Sequence, residues 1–183
     1  MTNSAFYDVD ALEKIAINLF YGWGYNFYRQ ENQLRADDQV IRSKVGLLLG
    51  WARKSVETSE HDYRRDHIPA PSREKPRPDP QAVAGAQALE RLSKAIGALQ
   101  GLVTSQPVPE NDRMTQRYRE EAGTLQQLVA NDQKLAGQVE LLRALLDKKD
   151  GVWLIQNMSD LQDGINAISE TLKSRQLLLF PVA

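Results

Sequence analysis

Apolar side chains recur along this chain at intervals of three and four residues in five separate stretches. Outside the C-terminal tail, no run of four or more residues alternates as a half-buried strand would. That period suits helices and little else. The expected fold is all-α, a helical bundle of about five helices: an N-terminal helical pair followed by a C-terminal three-helix antiparallel bundle. Short joints between helices with apolar seams favour antiparallel neighbours.

The clearest punctuation runs from His67 to Pro80, where Pro69, Pro71, Pro76, Pro78 and Pro80 remove backbone donors and fix φ. It divides residues 1–66, an aromatic-rich helical pair, from residues 81–183, a three-helix bundle ending in an apolar tail, with 67–80 as a proline-rich linker.

Within the first unit, a helix over Asp10 to Arg35 lines up Leu12, Ala16, Leu19, Trp23, Phe27 and Leu34 on one face, and Asp8 or Asp10 is placed to cap it. A second helix over Asp37 to Arg65 carries Ile41, Val45, Leu48, Ala52 and Val56 on one stripe and Val40, Leu47 and Trp51 on another. So wide an apolar surface predicts more than one packing neighbour.

Helix three, Gln81 to Thr104, spaces Leu89, Leu92, Ile96, Leu99 and Val103 as a coiled-coil seam does. Helix four, Glu110 to Lys149, places Leu128, Leu135, Val139, Leu142 and Leu146 on its seam, interrupted by Asp132. A polar seam residue commonly sets register at some cost in stability. After the turn signal Asp150-Gly151, helix five runs from Val152 to Ser174 with Leu154, Met158, Leu161, Ile165, Ile168 and Leu172 on one face. Pairing of these seams inside one chain is preferred to an intermolecular coiled coil.

Charge and composition exclude several classes of function. The chain contains 183 residues and no cysteine, which rules out disulfide scaffolds, thiol catalysis and thiolate metal sites. Residues 1–80 carry 12 basic and 12 acidic side chains, and residues 81–183 carry 11 and 12, so neither part is a polycation. Nucleic-acid binding is not expected, since the local excess among Arg64, Arg65, Arg73, Lys75 and Arg77 is broken by acids. The N-terminus lacks a signal-peptide pattern, and no apolar run reaches the roughly 20 residues of a membrane span. The expectation is a soluble, cytoplasmic protein.

Recognisable chemistry is also missing. Two histidines, His61 and His67, do not make a ferritin-like ligand set, so neither a metal nor another cofactor is expected. There is no Gly-x-Ser-x-Gly elbow, and Gly22 and Gly24 lack the remainder of a phosphate-binding loop. Paired acids such as Asp37–Asp38 and Glu120–Glu121 read as solvated surface or capping groups.

One segment does stand out. Phe20 to Tyr28 holds six of the thirteen aromatic residues in nine positions. On a helical wheel, Tyr21, Tyr25 and Tyr28 form a stripe, joined by Ile17, opposite the Leu19/Trp23/Phe27 face. This stripe is either covered by the C-terminal bundle or offered to a protein partner, for which amphipathic aromatic side chains are suited. The tail Leu177, Leu178, Leu179 and Phe180 poses the same choice: folded back over the bundle, or docked on a partner.

The functional expectation is a non-enzymatic adaptor, assembly factor or small structural subunit working through protein–protein interaction, with Tyr21, Tyr25, Tyr28 and Leu177 to Phe180 as contacts and homo-oligomerisation open. The alternative is a small-molecule or cofactor-binding protein with an aromatic pocket at Trp23, Phe27 and Trp51.

Overall fold

The computed structural model describes residues 5–22, 34–73, 76–106 and 122–179, without the side chains of 34–37, 122–125 and 179. The described residues are helical apart from joints and caps, and they contain no strand. A 3₁₀ turn, Ala5–Tyr7, leads into α1 (Val9–Gly22); then follow α2 (Leu34–His67), α3 (Pro80–Ser105), α4 (Ala122–Leu146), α5 (Gly151–Gln156) and α6 (Met158–Leu179). The all-α bundle expected from the apolar period is what the chain forms.

Local chemistry explains three of the helix starts, those of α1, α3 and α5. Asp8 Oδ1 accepts from the Ala11 amide at 3.1 Å, Asp79 Oδ1 from Gln81 N at 3.0 Å, and Asp150 Oδ1 from Trp153 N at 2.7 Å. Each carboxylate satisfies an amide that the helix itself leaves unpaired. Pro80 opens α3 at a position that needs no donor. The single helix expected over Val152 to Ser174 is two, interrupted at Asn157, which has φ −104° and ψ 19°. The Asn157 side chain donates to the Trp153 carbonyl at 2.8 Å, as does its backbone N–H at 3.0 Å, so local hydrogen bonding closes α5 there.

Four columns make the bundle. α2 and α3 are antiparallel, as the pairs Arg64–Glu90, Ser93–Glu57, Gln100–Gly46 and Arg42–Gln106 show. α4 runs parallel to α2, since Ser59 Oγ donates to the Lys149 carbonyl at 2.6 Å while Asp38 and Asp132 share Arg175 at the other end. The α5–α6 column returns antiparallel to α4. It also lies against α3, with Gln106 Nε2 donating to the Leu172 carbonyl at 3.3 Å. Around the bundle the order is α2, α3, α6, α4. Consecutive helices α3 and α4 therefore stand diagonally, and α1 packs chiefly on α4.

One apolar cluster runs through all of these elements. Ile41, Val45, Leu48, Ala52 and Val56 of α2 are buried, as are Leu89, Leu92, Ile96, Leu99 and Val103 of α3 and Leu128, Leu135, Val139, Leu142 and Leu146 of α4. Leu154, Leu161, Ile165, Ile168 and Leu172 complete it. The described residues on the two sides of the proline-rich connection thus share one core. The second stripe expected on α2 departs from its reading: Leu47 and Trp51 are exposed, and Leu49 takes the inward position.

Glycine positions sort by what surrounds them. A Cβ at Gly101 of α3 would meet no atom within 4 Å. Gly101→Ala is expected to stabilise the protein by up to about 1 kcal/mol, because alanine loses less backbone entropy in a helix interior. Chemical denaturation followed by circular dichroism reads this as a raised midpoint with unchanged slope.

Candidate functional site

Three features other than the apolar core invite a functional reading: a buried charged layer, an exposed apolar surface, and an open cleft at the opposite end of the bundle from the charges.

The charged layer centres on Arg175 of α6, whose side chain is 1% exposed. Its Nε donates to Asp132 Oδ1 of α4 at 2.6 Å, its Nη2 to Asp38 Oδ1 of α2 at 2.5 Å, and its Nη1 to Gln106 Oε1, just past α3, at 3.2 Å. Arg42 Nη2 lies 2.8 Å from the other Asp38 oxygen, and its Nη1 donates to the Gln106 carbonyl at 2.8 Å. Burial by itself pushes the Arg175 guanidinium down, but the Asp132 and Asp38 carboxylates outweigh it and hold it above its ordinary value. Two arginines thus balance two aspartates almost out of reach of bulk solvent. The expectation that Asp38 is solvated or a cap does not hold: one turn into α2 its side chain faces inward, where the Arg175 and Arg42 guanidiniums offset its burial. Asp132, by contrast, announces itself as a break in the apolar seam.

The exposed surface begins on α1. Leu12, Ala16 and Phe20 face the core, with Leu19 partly covered, so the opposite stripe points outward. Ile17 is 45% exposed and Tyr21 80%, so the bundle does not cover this part of the stripe. Tyr25 and Tyr28 lie outside the described residues. At the other end of α1, exposed Val9 sits in a groove with Ala130, Asn131, Lys134, Leu177 and Leu178. Leu177, 57% exposed, belongs to the last turns of α6. The tail is therefore helical as far as Leu179, whose side chain, like Phe180 as a whole, lies outside the described residues. Tyr21 and Leu177 do not meet: Val9 and Tyr21 are about 18 Å apart along the helix axis at 1.5 Å per residue. Val9 also lies about 120° around the helix from Tyr21, at about 100° per residue, so the groove and the Ile17/Tyr21 stripe are separate surfaces.

The cleft, about 730 Å³, opens between the C-terminal half of α2 and the turn that joins α4 to α5. Trp51 and Tyr63 line it with Lys54, Asp62, Asp147 and Lys148. Lys148 adopts a left-handed φ of 55°, which turns the chain after α4. Lys149 Nζ lies 4.8 Å above the Trp153 ring and Asp150 is occupied as a cap, so several of the surrounding charges are engaged locally. Trp51, 48% exposed, is thus at a cleft; Trp23 and Phe27, its expected companions, lie outside the described residues. His61 and His67 are both exposed, and among the described residues no group of three or more histidine and carboxylate side chains could hold a metal.

These features define an all-α bundle with a charged layer in its core and an apolar outer stripe, in which no described helix is long and apolar enough to cross a membrane. Compared with known proteins, the chain matches no family model, no curated protein and no solved structure.

Proposed function

We propose that the protein works as a non-enzymatic adaptor, assembly factor or small structural subunit, binding other proteins through the outer face of α1 and the last turns of α6. The observation that carries this reading is the outward placement of Ile17, Tyr21 and Leu177 on regular helices whose opposite faces are fully committed to the core. Large apolar and aromatic side chains held on rigid helices form contact area at little entropic cost, and tyrosine keeps a polar tip for a partner's donor or acceptor.

The test is affinity purification of the tagged protein from its native cells, alongside the variant Ile17→Ser/Tyr21→Ser/Leu177→Ser. All three positions are exposed, so each change should alter stability by no more than about 0.5 kcal/mol. The expected result is a stoichiometric protein partner that accompanies the parent chain and is lost from the folded variant. An unchanged set of companions would sink the proposal.

A second reading, small-molecule binding, is favoured by the cleft beside Trp51 and Tyr63, whose volume lies within the range of ligand sites. A ligand seen by native mass spectrometry and lost in Trp51→Ser would support it.

A further inference from the structure

The charged layer occupies seam positions on all four columns. On α6, Leu161, Ile165, Ile168 and Leu172 are followed at the next interval by Arg175, and on α4, Asp132 falls between Leu128 and Leu135. The α3 seam, through Ile96, Leu99 and Val103, reaches Gln106; the α2 seam, read backwards through Val45 and Ile41, reaches Asp38. Seven residues further into the bundle, the equivalent positions are Val45, Leu99, Val139 and Ile168; after fourteen they are Ala52, Leu92, Leu146 and Leu161, all buried. Sliding one helix by a heptad therefore sets one aliphatic layer against another of similar size, and apolar burial discriminates weakly between such registers. Among these seam layers the polar one distinguishes them, beside the close approaches of Gly85 and Gly151 to Tyr63. A displaced Arg175 would leave both Asp132 and Asp38 and enter an aliphatic layer.

We propose that Asp38, Gln106, Asp132 and Arg175 form a register layer: it makes one alignment of the four helices unique, and does so at a cost in stability. Buried ion pairs replaced by apolar groups often leave a protein as stable as before or more so, which separates specificity from stability in an experiment. The variant Asp38→Leu/Asp132→Leu/Arg175→Met would be made in the full chain. Because the chain has no cysteine, Ser43→Cys and Lys173→Cys allow spin labels on α2 and α6 alone, both at exposed positions. The expected result is a urea midpoint equal to or above the parent's, together with doubled or broadened backbone amide resonances. The Ser43–Lys173 distance distribution should gain a second component displaced by a few ångströms, because a slide of about 10 Å, the rise of one heptad, adds in quadrature to the lateral separation of the two helices. One narrow distance with a single set of resonances would overturn the proposal, and so would a lower midpoint. If the triple variant loses its helical circular dichroism, Asp132→Leu/Arg175→Met, which retains the Asp38–Arg42 pair, is judged by the same readouts. Failure of both to fold would make the layer a stabilising element and likewise overturn the proposal.

Discussion

Replacing Arg175 alone by methionine should destabilise the protein by about 3–5 kcal/mol, the usual cost of removing one member of a buried ion pair. The substitution removes donors to Asp132, Asp38 and Gln106 together. Arg42 can still reach Asp38 through the far oxygen, whereas Asp132 loses the guanidinium that donates to both of its oxygens. Since domains are commonly stable by only about 5–15 kcal/mol, the loss is a large share of the whole. Urea denaturation followed by helical circular dichroism would measure it; a loss below about 1 kcal/mol would mean that water or another group readily satisfies Asp132. Arg175→Lys should rescue only part, because an ammonium cannot span two carboxylates and an amide oxygen as a planar guanidinium does. The sign of the pH dependence is also set. A guanidinium held above its ordinary value contributes stability that is complete below that value and lost only as pH rises through the folded one. Arg175 itself should therefore impose no pH dependence between mildly acid and mildly alkaline conditions.

Gly137→Ala should produce the second large effect, confined to one edge of the molecule. A Cβ at Gly137 of α4 would run into the Leu12 carbonyl oxygen and come within 2.8 Å of the Leu12 C and Cα atoms. These are backbone atoms, so no side-chain rotation relieves the clash, and α1 must move away. The helix-propensity gain of roughly 1 kcal/mol that favours alanine at Gly101 is here outweighed by overpacking, and a net loss of about 2–3 kcal/mol is expected. Amide hydrogen exchange would locate it: protection should fall in α1 while α2, α3 and α6 keep theirs. Unchanged protection in α1 would show that this close approach does not hold the helix to the bundle. The same substitution thus has opposite signs at two helical glycines.

Much of the architecture is legible in the order of the amino acids. The seams named on helices three, four and five are buried at nearly every position, because a helix folded against neighbours must hide whatever recurs with its own period. Asp132 is legible as a seam break. Arg175 and Gln106 are legible in principle, since continuing the three-and-four spacing past Leu172 and Val103 arrives at each of them. Neither stands out in the sequence, because a charged or amide residue near a helix end is ordinarily solvated. Asp38 misleads for the same reason.

The contact residues are less accessible. Ile17 and Tyr21 fall on one stripe, as the helical wheel predicts, but periodicity says only that two faces differ, not which of them a neighbour will cover. Trp51 shows the same limit, since its stripe on α2 looks as apolar in the sequence as the buried one.

The sequence by itself determined that the chain is helical, where most of the helices begin and which side chains must be hidden, because these follow from backbone capping and from a period of about 3.6 residues. Tertiary structure alone decided that α1 docks on α4, that α3 and α4 face each other diagonally, and that four polar side chains far apart in sequence share one layer. Those outcomes depend on which of several similar apolar faces meet. Local sequence carries no information about that choice until close backbone approach at Gly137 and charge pairing at Arg175 make one arrangement cheaper than the others.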